Sequence, residues 1–260
     1  YNNYNELISY RLGFHAEYTT KREILEGISE LAQKYKAPVF THSSETKSEV
    51  EGCIERYGKT PTELFEEIGL WNWGGGGYHS VWLSDNDLQI YKKRGLWAII
   101  NAGSNSKLAS GICDVQKMSN MGINLAVGTD GPSSNNALDM FREMYLISVL
   151  QKLKYNDAAA MDANEILKAA TSGSAKCMGL TDCDCIAEGK LADLMIIDLE
   201  RPNMQPINNI TKNLVYSGSK DDVKMTMING KILYENGEFV NIDKEEIYAK
   251  AQEICNRLKN

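Results

Sequence analysis

The feature that most constrains the fold is an alternation of apolar, strand-length runs with helical segments through the first two-thirds of the chain. The runs APVFTH at 37–42, LWAIINAG at 96–103 and INLAVGTDG at 123–131 are each followed by a segment of helical character. Strands that alternate with helices in this way indicate βαβ units and a parallel sheet. The sequence therefore predicts an α/β fold.

Polar side chains stand where the predicted strands end. In a (β/α)₈ barrel the carboxyl ends of the strands build the active site, whereas a doubly wound sheet concentrates its ligand crevice at one switch point. Polar groups at successive strand ends favour the barrel, so we predict a partial TIM-type (β/α)₈ barrel. The strand-end residues are His42 with Glu45, His79, Asn101 with Ser104 and Asn105, and Asp130.

The pattern changes from about residue 186, where the chain becomes β-rich. The segments IAEGKLADLMIIDL, NLVYSG and VKMTMINGKILYENGEFV read as strands, with Asn229-Gly230 and Asn236-Gly237 as hairpin turns. A charged helix closes the chain. We predict two units: residues 1–185 as part of a barrel, and residues 186–260 as a small β-sandwich module with a C-terminal helix.

Composition excludes some classes of function. The net charge of −7 argues against a nucleic-acid partner, because phosphate binding requires a basic face. The longest apolar runs have strand length, so no membrane span is expected. Six scattered cysteines fit a reducing, cytoplasmic compartment better than a disulfide framework. Cys183-x-Cys185 lacks a second pair and is read as a loop dipeptide, not a zinc site.

His42 and Glu45 are the first candidates for chemistry. A neutral imidazole at a strand end is a good ligand for zinc, and a carboxylate just beyond it can act as a proton shuttle. The alternative is a partly buried histidine beside a solvated glutamate. Asp130 ends an apolar run, where burial calls for a cation or hydrogen-bond donors; the alternative there is an Asx turn or a helix N-cap.

The other two histidines and the NAGSN segment are weaker candidates by themselves. His15 and His79 could be structural, and Asn101, Ser104 and Asn105 could be ordinary loop residues. However, all three histidines of the chain, with Glu45 and Asp130, fall at the predicted ends of different strands. Their joint placement favours one shared site.

The order of motifs resembles the amidohydrolase superfamily. The stretches are GFHAEYT, THSSET, YHSVWLS, NAGSNSKLASGI, AVGTDGPSSNNALDMFREM and IAEGKLADLMIID, and they cover nearly the whole chain. Within the superfamily they are most similar to the 5′-methylthioadenosine/S-adenosylhomocysteine deaminase group, which is related to the triazine chlorohydrolases and guanine deaminases. The resemblance implies a metal-dependent hydrolase that deaminates an adenosine derivative.

The resemblance also implies roles for single residues. His42 would be a metal ligand, and Asp130 would be a second ligand that also takes a proton from the attacking water. His79 would orient that water, and Glu45 would carry a proton to a ring nitrogen of the substrate. Zinc is the first expectation for a histidine and aspartate ligand set, with iron and manganese as alternatives. Substrate contacts would come from His15, Glu45, Asn105 and Ser134.

The sequence departs from the family pattern. The family carries an H-x-H pair on its first barrel strand, and this sequence contains none. Glu17 stands where the family often has proline, and NAGSN stands for N-P-x-S-N. The expectation is that the chain is the C-terminal portion of such an enzyme, with the H-x-H upstream of Tyr1.

Alternative functions are a guanine or cytosine deaminase, a chlorohydrolase on the same scaffold, or a non-catalytic truncated relic. The expected partner is a purine nucleoside, and a homo-oligomer is possible on this reading.

Overall fold

The computed structural model of the protein describes residue 2 and residues 4–259. Five parallel strands in sequential order form its first sheet. Each strand pairs with the next along the chain, as expected for consecutive strands of a barrel. The structure confirms the α/β fold class and the parallel sheet. The strands are β1 (Leu12–Gly13), β2 (Val39–Ser43), β3 (Gly75–His79), β4 (Trp97–Ile100) and β5 (Asn124–Val127).

Helices connect the strands and pack on one face of this sheet. Side chains alternate between the two faces of a strand. In β4, Ile100 faces the helices in the main core, whereas Ile99 joins Phe40 and Ala126 in a separate small cluster. The helices are α1 (Arg22–Tyr35), α2 (Lys47–Tyr57), α3 (Pro61–Glu67), α4 (Asp85–Arg94), α5 (Ala102–Lys107), α6 (Val115–Asn120), α7 (Pro132–Asn135), α8 (Met140–Tyr155), α9 (Ala163–Lys168) and α10 (Ser174–Cys177).

A second, antiparallel sheet follows. It contains β6 (Leu194–Ile197), β7 (Val223–Ile228), β8 (Lys231–Glu235) and β9 (Glu238–Phe239) in sequential order, and helix α12 (Lys244–Leu258) comes after it. Among the described residues, 2 and 4–259, this single four-stranded sheet stands where the sequence predicts a small β-sandwich. The division of the chain at 185/186 stays a prediction.

The reading of NLVYSG as a strand is wrong. Its first four residues belong to helix α11 (Ile210–Tyr216). Val215 is 1% exposed in the main core, and Tyr216 Oη accepts a hydrogen bond from Ser148 Oγ on α8 at 2.9 Å. Packing against the first unit therefore decides the conformation of this segment. Over the described part of the chain, no helix is both long and apolar enough to cross a lipid bilayer.

Glycines in β3 allow neighbouring strands to approach closely. Gly75 has φ of +120°, and a Cβ added there would lie 1.8 Å from the Val39 carbonyl oxygen of β2. At Gly76 the added Cβ would lie 2.3 Å from the Trp97 carbonyl oxygen of β4. Both obstacles are backbone atoms, so a side chain here would force the strands apart.

We therefore expect Gly75→Ala to destabilise the fold strongly, by about 3 kcal/mol or more. Gly122→Ala is the matched control, because Gly122 has φ of +72° but open space around it. That control should cost only the left-handed backbone penalty, about 1–2 kcal/mol. Urea unfolding measures both values, and equal losses would show that strand spacing at Gly75 is unimportant.

A buried carboxylate joins the two loops that follow β4 and β5. Glu143 of α8 is fully buried. Its Oε2 accepts the Gly103 N–H at 2.8 Å, and its Oε1 accepts Asn135 Nδ2 at 2.7 Å. Burial raises the pKa of Glu143, although the hydrogen bonds from Gly103 and Asn135 partly oppose the rise. Helices α5 and α7 are consequently held to α8 by one side chain.

This raised pKa makes a prediction about stability and pH. Because the folded-state pKa of Glu143 lies above the ordinary value of 4.5, its protonated carboxyl contributes to the free energy of unfolding. This contribution is complete below about pH 4.5 and is lost as the pH rises through the folded-state pKa. The advantage of wild type over Glu143→Gln in free energy of unfolding should therefore shrink as pH rises. Urea unfolding at several pH values measures it, with Glu55→Gln on exposed surface as the control. An advantage that grows with pH would contradict this account.

Candidate active site at the carboxyl ends of the strands

The carboxyl ends of β2 to β5 bring the predicted residues to one edge of the sheet. Because β2 and β3 pair in parallel, Ser43 lies beside His79 and His42 beside Tyr78. His79 has φ of +70° and Asp130 has φ of +60°. Left-handed backbone is costly for residues other than glycine and concentrates at functional sites. Both site residues thus have left-handed backbone, His79 at the last position of β3 and Asp130 just past β5.

A chain of hydrogen bonds fixes the two histidine rings. His79 Nδ1 lies 2.7 Å from Asn105 Oδ1, and His79 Nε2 lies 2.9 Å from His42 Nδ1. An amide oxygen can only accept, so the Nδ1 of His79 carries the hydrogen and its Nε2 has a free lone pair when the ring is neutral. His42 Nδ1 is then the donor between the two rings.

The charge states of His42 and Asp130 suit cation binding. Burial, together with the neighbouring His79 and His15 rings, lowers the pKa of His42, which keeps that imidazole neutral. Burial acts to raise the pKa of Asp130, but hydrogen bonds from Ser134 and Ser104 outweigh it, and the pKa is lowered. Ser104 Oγ donates to Asp130 Oδ2 at 2.7 Å, and Ser134 Oγ donates to the same oxygen. The site combines a neutral ring with a fixed carboxylate.

His42, His79 and Asp130 form a cluster that could hold a metal ion. Each offers one ligand atom, and the three atoms lie within 4.8 Å of one another. Within residue 2 and residues 4–259, no other group of three or more His, Cys, Asp or Glu residues has this geometry. Imidazole nitrogen and carboxylate oxygen are ligands that zinc accepts. A histidine that binds a metal through one ring nitrogen usually donates a hydrogen bond from the other, as His79 Nδ1 does to Asn105.

Glu45 lies at the side of this cluster. Its Oε2 is 3.7 Å from His79 Nε2, and its Oε1 accepts a hydrogen bond from Ser110 Oγ at 2.9 Å. The Glu45 main-chain N–H donates to Glu49 Oε2 at 2.8 Å, which fixes the turn after β2. The carboxylate therefore reaches the space around the histidines.

His15 borders the cluster from the end of β1. Its ring centroid lies 5.1 Å from that of His42, and its carbonyl accepts the His42 N–H at 2.9 Å. The His15 side chain is exposed, and its Nδ1 pairs with Thr19 Oγ1 at 2.9 Å. Only Leu12–Gly13 is paired as a strand ahead of His15.

Asn105 and Ser134, which the resemblance predicts as substrate contacts, make hydrogen bonds to other residues of the cluster. Asn105 is 2% exposed and bonds His79, and Ser134 bonds Asp130. Both residues therefore support other members of the cluster, and direct contact with a substrate stays a prediction. Cys183 and Cys185 lie apart from this cluster, on the loop between α10 and β6.

Three supporting residues carry little or no signal in the sequence. Ser104 could be an ordinary loop residue by its local sequence, yet it is fully buried and bonds Asp130. Glu49 is detectable from its capping box with Thr46, the pattern T-x-x-E, but not as a support for Glu45. Ser110 gives no local signal, because its partner Glu45 is 65 positions away.

Comparison with known proteins identifies the family to which this sequence is similar. The model of the amidohydrolase family matches residues 3–233. A 5-methylthioadenosine/S-adenosylhomocysteine deaminase of Pyrococcus furiosus is 42% identical over 244 residues, covering 94% of this chain and 58% of the relative. A 5′-deoxyadenosine deaminase of Methanopyrus kandleri is 37% identical over 252 residues, covering 97% of this chain and 58% of the relative.

A solved structure is similar over the same extent. The adenosine deaminase from Xanthomonas campestris with bound zinc superposes with a TM-score of 0.94 at 33% identity, covering 99% of this chain and 59% of that one. This chain thus spans less than two-thirds of the length of each of these proteins. The family match over most of the sequence, on a parallel sheet with its polar residues at the strand ends, shows that the chain belongs to the amidohydrolase family.

Proposed function

We propose that this chain supplies one part of the active site of a metal-dependent aminohydrolase that deaminates adenosine derivatives. The observation that carries the proposal is the convergence of His42, His79, Asp130 and Glu45 at the carboxyl ends of β2, β3 and β5 in one parallel sheet. Relatives named as deaminases of 5-methylthioadenosine, S-adenosylhomocysteine and 5′-deoxyadenosine support the substrate class, because all three compounds contain an adenine ring.

In this proposal His42 and Asp130 hold a divalent cation, and His79 stands beside it. A bound cation would lower the pKa of a water molecule and so provide a nucleophile at neutral pH. Zinc fits the mixed imidazole and carboxylate donors and is present in the Xanthomonas relative. Catalytic zinc commonly has three protein ligands. The H-x-H pair of the family would complete the set.

The protein groups then divide the proton transfers between them. Asp130, whose Oδ2 is held by Ser104 and Ser134, accepts a proton from the attacking water. His79, whose Nε2 accepts the His42 Nδ1 hydrogen in the structure, lies beside that water and orients it. Glu45 Oε2 takes the second proton of the attacking water and donates it to a ring nitrogen beside the reacting carbon. Overall a C–O bond forms at C6, the C6–N bond breaks, and ammonia leaves with a proton that came from water.

The finer expectations stay predictions. We expect His15, which is exposed beside His42, to contact the sugar or the 5′ substituent of the nucleoside. The sequence also predicts a purine nucleoside partner, a homo-oligomeric state and a cytoplasmic location. The geometry of the cluster does not bear on these three predictions.

The test uses two proteins. One is the chain of 260 residues, and the other is an extended chain, which adds at the amino-terminal side the barrel strands that carry the family's H-x-H pair. We expect the extended chain to bind about one zinc ion and to release ammonia from S-adenosylhomocysteine or 5′-methylthioadenosine. Glu45→Gln should retain the zinc and lower kcat about 10²- to 10⁴-fold, because it removes one proton carrier. Metal analysis and an ammonia assay measure both quantities.

Glu51→Gln, an exposed glutamate on helix α2, is the control for loss of a carboxylate. Guanine, cytosine and a chlorinated triazine are assayed in parallel. Turnover of one of these in place of the adenosines would reject the substrate class. A folded extended chain that binds no metal and releases no ammonia would reject the aminohydrolase and favour the non-catalytic alternative.

A further inference from the structure

The two carboxylate oxygens of Glu45 have different surroundings. Oε1 accepts a hydrogen bond from the Ser110 hydroxyl at 2.9 Å. Oε2 faces the cluster, 3.7 Å from His79 Nε2. A carboxylate that carries protons must present one particular oxygen to its partners, so this asymmetry bears directly on how Glu45 works.

Ser110 is itself held rigidly. Its N–H donates to the Asn105 carbonyl at 2.9 Å, and its carbonyl accepts the Trp82 indole N–H at 2.7 Å. The residue is 5% exposed. The following residue, Gly111, has φ of +132°, and a Cβ there would lie 2.9 Å from a Val81 methyl carbon. Contacts from the loops after β3 and β4 therefore determine where the Ser110 hydroxyl lies.

The main chain of Glu45 is fixed from the opposite side. Glu49 Oε1 accepts the Ser44 N–H and Oε2 accepts the Glu45 N–H, both at 2.8 Å. These bonds hold the turn but do not touch the Glu45 side chain. Rotation of the carboxylate is restrained through Ser110.

We propose that Ser110 is the positioning residue for Glu45 and directs the transferred proton to Oε2. This inference rests on the proposed deaminase function. The Ser110 hydroxyl can donate to Oε1 whether Glu45 is ionised or protonated, because the carbonyl oxygen of a carboxylic acid still accepts. The proton that Glu45 gains from the attacking water therefore resides on Oε2. Oε2 then gives the proton to the ring nitrogen, and Glu45 returns to the carboxylate with no atom exchanged with Ser110.

The kinetic test uses the extended chain. Ser110→Ala should lower kcat for deamination about 10- to 100-fold, the loss expected for a hydrogen bond to a charged group. KM should change by less than about threefold, since Ser110 acts through Glu45 and not on the substrate. Ser106→Ala, an exposed serine on α5, is the matched control and should leave both constants unchanged.

A double-mutant cycle separates positioning from a general structural effect. If Ser110 acts through the Glu45 carboxylate, Ser110→Ala should change kcat less than about twofold when Glu45→Gln is already present. The same fold loss in both backgrounds would overturn the proposal. So would a Ser110→Ala enzyme as active as Ser106→Ala.

A structural measurement keeps the test independent of turnover. In crystal structures of wild type and Ser110→Ala, the proposal expects the Glu45 carboxylate to lose its single orientation in the variant. An unchanged carboxylate in Ser110→Ala would overturn the positioning role whatever the activity. Absence of ammonia release from wild type, by contrast, would reject the proposed function and leave this structural result to decide the role of Ser110.

Discussion

The in-register pairing of parallel strands β2 to β5 is the constraint on which the site depends. It fixes which residues stand at the carboxyl edge: β2 carries His42 next to the end of β3 with His79, and β5 leads directly into Asp130. A slip of one residue in the pairing of β2 or β3 would send the side chain of its histidine to the other face of the sheet. The glycines of β3 permit this spacing, since backbone oxygens of β2 and β4 occupy the positions that side chains would need. The chemistry of the edge is therefore a consequence of sheet geometry.

Around this edge, each reactive side chain has a dedicated partner. Asn105 sets the tautomer of His79, two serine hydroxyls fix Asp130, and Ser110 binds one oxygen of Glu45. Several of these partners lie in the segment from Asn101 to Ser110, which Glu143 ties to α8 through the Gly103 N–H. Such supporting contacts keep reacting groups in place without reorganisation during a reaction. In the proposed deaminase, the loop after β4 would thus order three different functional groups.

The sequence predicts the reactive residues better than it predicts their supports. His42 and Asp130 are detectable because each comes at the end of an apolar run, and His79 because it repeats the histidine on the next predicted strand. Strand ends in a parallel sheet converge. Ser110 and Glu143 are not detectable, since their partners are distant in sequence and any serine or glutamate could stand on a solvated loop or helix. The resemblance predicts Asn105 at the pocket, and in the structure it bonds His79 from helix α5, which begins soon after β4. Local composition predicts a strand around Val215, but the segment is helical and packs against α8.

The central claim is that His42 and Asp130 share one cation at the strand ends. Cobalt(II) titration of the extended chain, followed by its visible absorption, tests the claim most directly, because cobalt reports ligand type and coordination number in sites that bind zinc. The account predicts about one bound cobalt ion with the spectrum of a low-coordinate site, and loss of that spectrum in both His42→Ala and Asp130→Ala. An unchanged spectrum and affinity in the two variants would show that the cation binds elsewhere and would contradict the account.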